Sequence, residues 1–276
     1  MQTITKRDLD GPFHKHVYFH ATAAGLSVKI TRDGQAQIRD VNTVLAPALV
    51  PPTGGKSHSS AQPVPGLARF VSFASAEAWV DGEEGERGSA VTNAQASVKG
   101  LKVINRPSAH DNLPGVATVE LTASSIAVSM RSTLAAGAKV PRFEFVSAPV
   151  WAGVVIQVGP SRISIVPEVD TGLMAAVTMS KLDSLLNKAK FKAAIQGRIV
   201  LTRHGEQRTS IVSKLNVNGT PINGHVFTQP GLGRLTFGEI VIGDNIRKFT
   251  MLRIQLGCEV FGDINVDPIV INGEGK

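Results

Sequence analysis

Between residues 250 and 258, Thr250, Leu252, Ile254, Leu256 and Cys258 alternate with Met251, Arg253, Gln255 and Gly257. A period of two fits an extended strand with one buried face, because successive side chains leave opposite sides of the backbone. The same period runs through Ala117, Val119, Leu121, Ala123, Ser125, Ala127 and Ser129, set against Thr118, Glu120, Thr122, Ser124, Ile126, Val128 and Met130. That strand is long and made largely of small side chains. Another small-residue stretch, 70–80, runs into the acidic turn Asp81-Gly82-Glu83-Glu84-Gly85-Glu86-Arg87-Gly88 before 90–104 resumes the extended pattern, so the pair reads as a hairpin. Asp33-Gly34, His204-Gly205, Asn218-Gly219 and Asn223-Gly224 supply the positive φ that tight hairpin turns require. The expected fold is all-β: an antiparallel, sandwich-like architecture with one short helix near 180–195.

That helix is read from Ser180, followed three residues later by Asp183 as in a capping box, and from Leu182, Leu185, Leu186 and Ala189 at helical spacing. The stripe is a packing face, with the lysines largely elsewhere. Residues 45–66 are rich in Pro, Gly and Ser and read as a surface loop. The chain then divides into an N-terminal arm at 1–12, a β-rich region at 13–145 that holds this loop, and a β-rich region at 146–276 that holds the helix. The last two form either separate units or one domain. An internal echo links Ala24-Gly25-Leu26-Ser27-Val28-Lys29-Ile30 with Lys99-Gly100-Leu101-Lys102-Val103-Ile104-Asn105. Two copies do not make a solenoid.

Composition removes several classes. With 42% hydrophobic and 18% charged residues over 276 positions, the chain is not disordered, and its length buries about three quarters of the unfolded surface. No apolar run reaches the roughly 18 residues of a membrane-spanning helix. The start, MQTITKRDLDGPF, lacks the apolar stretch of a secretory signal. Cys258 is the single cysteine, which excludes an intrachain disulfide and a multi-cysteine zinc cluster. The net charge of +7 comes from cations spread along the chain, and only 14 residues are aromatic, 11 of them Phe, so no basic strip with a stacking platform marks a nucleic-acid partner.

Candidate chemistry is sparse. His14, His16 and His20 share parity, so a strand puts them on one face, where His14 and His16 are the candidates for a metal. Structural histidines satisfy the same pattern without a ligand role. There is no Gly-x-Ser-x-Gly elbow, Gly54-Gly55-Lys56-Ser57 lacks the earlier glycine of a phosphate loop, and Gly231-Leu232-Gly233 lacks the third glycine of a dinucleotide fingerprint. The acidic 81–86 turn lacks the spacing of a dedicated calcium loop. No catalytic, cofactor-binding or metal role is assigned, and no cofactor is expected.

In the last third, Leu215-Asn216-Val217-Asn218-Gly219-Thr220-Pro221-Ile222, then Gln229-Pro230-Gly231-Leu232-Gly233-Arg234-Leu235-Thr236-Phe237-Gly238-Glu239, then 250–256, resembles the closing segment of the choice-of-anchor P family of bacterial surface proteins. Ala96-Ser97-Val98-Lys99-Gly100-Leu101 and Leu121-Thr122-Ala123-Ser124-Ser125-Ile126 are similar to that family's paired central segments. The resemblance implies an exported, β-rich, extracellular or cell-surface module with no known catalytic residue. The chain departs from it in lacking a signal peptide and a terminal sorting motif.

These features favour a non-enzymatic structural or cell-surface protein acting through protein interfaces and self-assembling into a fibre or lattice. A module binding an envelope glycan or ligand, with Tyr18, Trp79 and Trp151 as its only Tyr and Trp, is the alternative, and a hydrolase with a dispersed site is a third. Phe13, Val17, Tyr18 and Phe19 form a β-prone apolar stretch. It either adds to a neighbouring subunit's sheet edge or forms the first strand of its own domain. The alternation of 250–258 also places Cys258 toward the core, so a thiol reagent is expected to label it slowly in native protein and rapidly after denaturation. Fast native labelling would put it on the solvent face.

Overall fold

The computed structural model describes residues 17–32, 41–105, 118–177, 200–201, 207–243, 246–257 and 260–275, and these form two antiparallel sheets packed face to face. The first holds eight strands: β12 (Val200–Leu201), β13 (Gln207–Ser210), β17 (Gly233–Ile242), β18 (Ile246–Leu256), β19 (Val260–Gly275), β1 (Val17–Arg32) and β2 (Val41–Leu49) in that order, with β16 (Val226–Gln229) also on β17. The second runs β15 (Thr220–Asn223), β14 (Val212–Val217), β11 (Ser161–Val169), β10 (Val154–Val158), β7 (Val119–Leu134), β6 (Ala90–Asn105), β5 (Ser75–Glu84) and β3 (Gly55–Ala61). Short strands complete it: β4 (Val71–Ser72) on β6, and β8 (Arg142–Phe145) and β9 (Val150–Ala152) on β7. The all-β sandwich-like expectation holds.

The first and last described strands meet in the first sheet, where β1 pairs with β19 from Val17 opposite Gly275 to Arg32 opposite Val260. The core between the sheets takes Leu26, Val28, Ile254, Ile264 and Phe237 from one side and Val80, Val98, Leu121, Ile126 and Ile156 from the other. Ala76, Ala78, Ala94 and Ala96 are fully buried where β1 crosses β5 and β6. Small side chains let the sheets come close there: a Cβ on Gly25 would stand 2.8 Å from the Cβ of Ala76.

One row of residues interrupts every long strand of the first sheet. Ala46, Gly25, Asp267, Met251 and Gly238, on β2, β1, β19, β18 and β17, are neighbours across the sheet and lack ladder partners, while pairing resumes in register on both sides. Three of them have positive φ: 52° at Ala46, 50° at Asp267 and 61° at Gly238. On each strand the buried face changes parity at this row. In β1 the buried residues are Phe19, Ala21 and Ala23, then Ala24, Leu26, Val28 and Ile30. The second sheet has the same device at Gly100, Ser124 and Gly153, with φ of 61° and 62° at the two glycines. Such a local irregularity resets which side chains face inward without ending the strand.

This crease corrects the strict alternation expected from the sequence. In β18 Met251 joins Leu252, Ile254 and Leu256 in the core, while Thr250 turns half outward. In β7 the buried set shifts from Val119, Leu121 and Ala123 to Ile126, Val128 and Met130, which leaves Ser125, Ala127 and Ser129 half-buried.

The stretch 45–66 is not the expected loop. It contains the end of β2 and all of β3, whose Lys, Ser and His side chains are polar on both faces because an edge strand outside the core needs no apolar face. The 70–80 and 90–104 hairpin is present as β5 and β6, and it extends through the acidic segment as far as Glu84. Asp81 lies within the strand and is buried. The helix expected near 180–195 lies outside the described residues. A described helix, α1 (Thr171–Val177), starts earlier, with the Asp170 carboxylate accepting the Leu173 N–H at 2.9 Å. No helix among the described residues is long and apolar enough to cross a membrane.

Asp267 is the costly member of the crease. It is fully buried, and neither carboxylate oxygen has a hydrogen-bond partner. Burial pushes its pKa well above the ordinary carboxylate value. Below the unfolded pKa both states hold the proton and the site costs no ionisation energy. As pH rises past that value the unfolded chain ionises first, and the folded state loses stability. Asparagine keeps the shape, tolerates positive φ and carries no charge. Asp267→Asn is therefore expected to raise the melting temperature at pH 7 by a few degrees, about 1 kcal/mol in a domain of this size. Thermal melts across pH should show the gain vanish at about pH 4 and below.

Candidate functional site

The outward face of the eight-stranded sheet carries a cluster of paired charges. β13 and β16 both pair with the side of β17 that faces away from β18, β16 along Gly233–Thr236 and β13 along Glu239–Ile242. Between them isolated bonds bridge the gap: the Phe237 N–H donates to the His225 carbonyl at 2.9 Å, the Ser210 hydroxyl to the Phe237 carbonyl at 2.6 Å, and the Ile211 N–H to the Gly238 carbonyl at 3.0 Å. Two strands therefore diverge at the crease and leave a cleft of about 600 Å³ above β17 and β18. A Cβ on Gly238, whose φ is +61°, would come 3.0 Å from both Ile211 Cγ1 and Val212 Cγ2, so this junction demands glycine.

Glu239 is the hub of the charge pattern. Its Oε2 lies 3.8 Å from Arg208 Nη1 and its Oε1 lies 3.8 Å from Arg253 Nη1. Arg253 turns Nε and Nη2 toward the two oxygens of Asp263, at 3.3 and 3.4 Å. The result is an Arg-Glu-Arg-Asp ladder running across β13, β17, β18 and β19. Arg234 and His225 complete the cleft wall. The Nε of Arg208 is buried without a hydrogen-bond partner, and so is the hydroxyl of Thr209, which stands opposite Ile240 on the core side of β13. A shallower trough of similar volume continues along the crease toward β2, past Val241, Pro268 and Val270 to Pro47 and Leu49. Val44 and Leu49 at that end are 49% and 56% exposed, unusual for large aliphatic side chains.

The residues singled out in the sequence fall elsewhere. Phe13, His14, His16 and Cys258 lie outside the described residues. Val17 and Tyr18 belong to β1, opposite Gly275 and Glu274. Phe19 is buried in the chain's own core, its ring so close to Gly82 that a Cβ there would meet Cδ1 at 2.5 Å, and its N–H donates to the Pro52 carbonyl. This is the internal first-strand arrangement for Phe19. His20 is exposed. Of the aromatic residues considered for a sugar platform, Trp151 is half-buried and donates its indole N–H at 2.9 Å to the carbonyl of Met251, the crease residue of β18. Trp79 lies opposite His58 in the β3–β5 pairing.

The cleft residues were visible in the sequence only singly. Glu239 closes the Gly-Arg-Leu-Thr-Phe-Gly-Glu run and Arg253 interrupts an apolar strand, but cross-strand register alone brings them together. No protein-family model matches the chain, and no curated protein is similar to it.

Because Glu239 is mostly buried between two guanidinium groups, replacing it by Gln leaves Arg208 and Arg253 facing each other without the intervening negative charge. Glu239→Gln is expected to lower unfolding stability by about 1 kcal/mol, with most of the loss absent in an Arg253→Gln background. Urea denaturation of the double-mutant cycle measures both values.

Proposed function

We propose that this chain is a non-enzymatic structural protein of the cell surface, working through protein interfaces and assembling with copies of itself. The observation that supports this reading is the free edge formed by β3. Its register with β5 is unbroken from Gly55 opposite Gly82 to Ala61 opposite Ala76, and no hydrogen bond to its outer side is found among the described residues. Sheet edges that avoid partners are usually interrupted by proline, a bulge or several charges. β3 has no proline, no bulge and one charged residue, Lys56. At the opposite end of the same sheet, β15 is only four residues long and contains Pro221.

A second copy adding its own β3 across a twofold axis would satisfy both free edges and join two eleven-stranded sheets. In this reading that dimer is the unit of a larger fibre or lattice, in keeping with the resemblance to bacterial surface proteins.

Light scattering of the purified chain over a wide concentration range, with negative-stain electron microscopy, tests the proposal. The expected result is a dimer or larger assembly that the doubly substituted His58→Lys, Ser60→Lys protein converts to monomer with an unchanged melting temperature. Both positions are exposed, so added charge acts on the edge and not on the core. A wild-type chain that stays strictly monomeric overturns the reading.

A further inference from the structure

We propose that the cleft between β13 and β16 binds an oxyanion, a carboxylate or phosphate group, through the guanidinium groups of Arg208, Arg234 and Arg253. The inference does not depend on assembly through β3, which lies on the other sheet.

Three arginines and one glutamate line the cleft, so its lining carries a net positive charge. Glu239 stands 3.8 Å from both Arg208 and Arg253, beyond direct hydrogen-bond length, and leaves their facing N–H groups underused. Arg253 commits Nε and Nη2 to Asp263, which leaves Nη1 toward the cleft. Arg234 has no ion-pair partner among the described residues. The Nε of Arg208 also remains buried and unmatched beside the cleft. Buried polar atoms without partners are rare in folded proteins, and each calls for a specific reason. An oxyanion supplies several acceptor oxygens on one compact group, and planar guanidinium groups recognise carboxylate and phosphate by paired N–H contacts. The volume of about 600 Å³ suits such a group carried on a sugar or small organic body.

Isothermal titration at low ionic strength tests this with inorganic phosphate, with trigalacturonate as a carboxylate-bearing glycan, and with neutral maltotriose. One or both anions are expected to bind and the neutral trisaccharide is not. Binding of phosphate alone assigns a phosphate source, and binding of the uronate assigns an acidic glycan. Arg234→Ala should weaken the interaction about tenfold, the loss of one charge-assisted contact. Lys214→Ala, an exposed cation on the other sheet, should change nothing. Absence of heat with either anion up to about 10 mM, where even a weak site would show, overturns the proposal. So does equal weakening by Arg234→Ala and Lys214→Ala, which would mark diffuse attraction to a basic surface.

Discussion

The crease is the constraint on which the rest of the structure depends. β1 is 16 residues long and spans roughly 50 Å, well beyond the usual strand. Had strict alternation continued past Ala23, its inward face would have carried Gly25, Ser27 and Lys29 while Leu26, Val28 and Ile30 met solvent. Reversing parity at Gly25 buries all three aliphatic side chains completely or nearly so. Each such burial is worth about 1.5–3 kcal/mol, and on β1 no positive φ stands against it. On β19 the burial of Ile264 and Val266 on one side of Asp267, and of Ile269 and Ile271 on the other, outweighs the roughly 1–2 kcal/mol of holding Asp267 at positive φ. A reversal in one strand of a sheet would misalign its neighbours. A reversal in all five at one row keeps every ladder in register.

Much of this was legible from the chain, and the remainder was hidden for identifiable reasons. The β5–β6 hairpin and the Asn218-Gly219 turn, with φ of 49° and 85°, follow directly from local turn chemistry. The parity reversals left only a doubled apolar residue, such as Ala23-Ala24 or Met251-Leu252, and such doublets are common in strands that never reverse. The echo between 24–30 and 99–105 was the stronger sign. Gly25 and Gly100 turn out to be the crease residues of their respective sheets, each followed by a buried Leu at the next position and a buried Val two further on. A repeated Gly-Leu-x-Val thus records one structural event used twice. β3 escaped notice for the opposite reason: its half-buried face carries Ser57, Ser59 and Ala61, so the edge strand has almost no hydrophobic period to display.

The crease also accounts for the cleft. Gly238 is the point at which β17 changes parity, and it is also where the strand passes from pairing with β16 to pairing with β13. Beyond Gly238 the outward positions change from Arg234 and Thr236 to Glu239 and Val241. Glu239 therefore reaches the same surface as Arg253, although strict alternation from Thr236 would have turned it inward. The ion ladder exists because the strand reverses between Thr236 and Glu239.

Of the five unmatched buried side-chain polar atoms among the described residues, four lie at these features and the fifth, Asp81 Oδ1, lies on β5. Asp267 lies on the crease itself, and Arg208 Nε and Thr209 Oγ1 lie on β13, beside the place where the crease reaches β17. By contrast the Met251 carbonyl, which lost its ladder partner in the same row, is satisfied by an indole sent across from the second sheet. Where the fold needs only internal consistency, a neighbouring side chain repairs the interrupted ladder. At Asp267 and on β13 that repair is missing, and local rules that go unmet in an otherwise consistent structure tend to mark sites kept for something other than stability. For Asp267 the surroundings are closed and apolar, so the consequence is a stability that falls as pH rises. For Arg208 the rest of the guanidinium opens to solvent beside two further arginines, and its loosely held N–H groups become a capacity to bind.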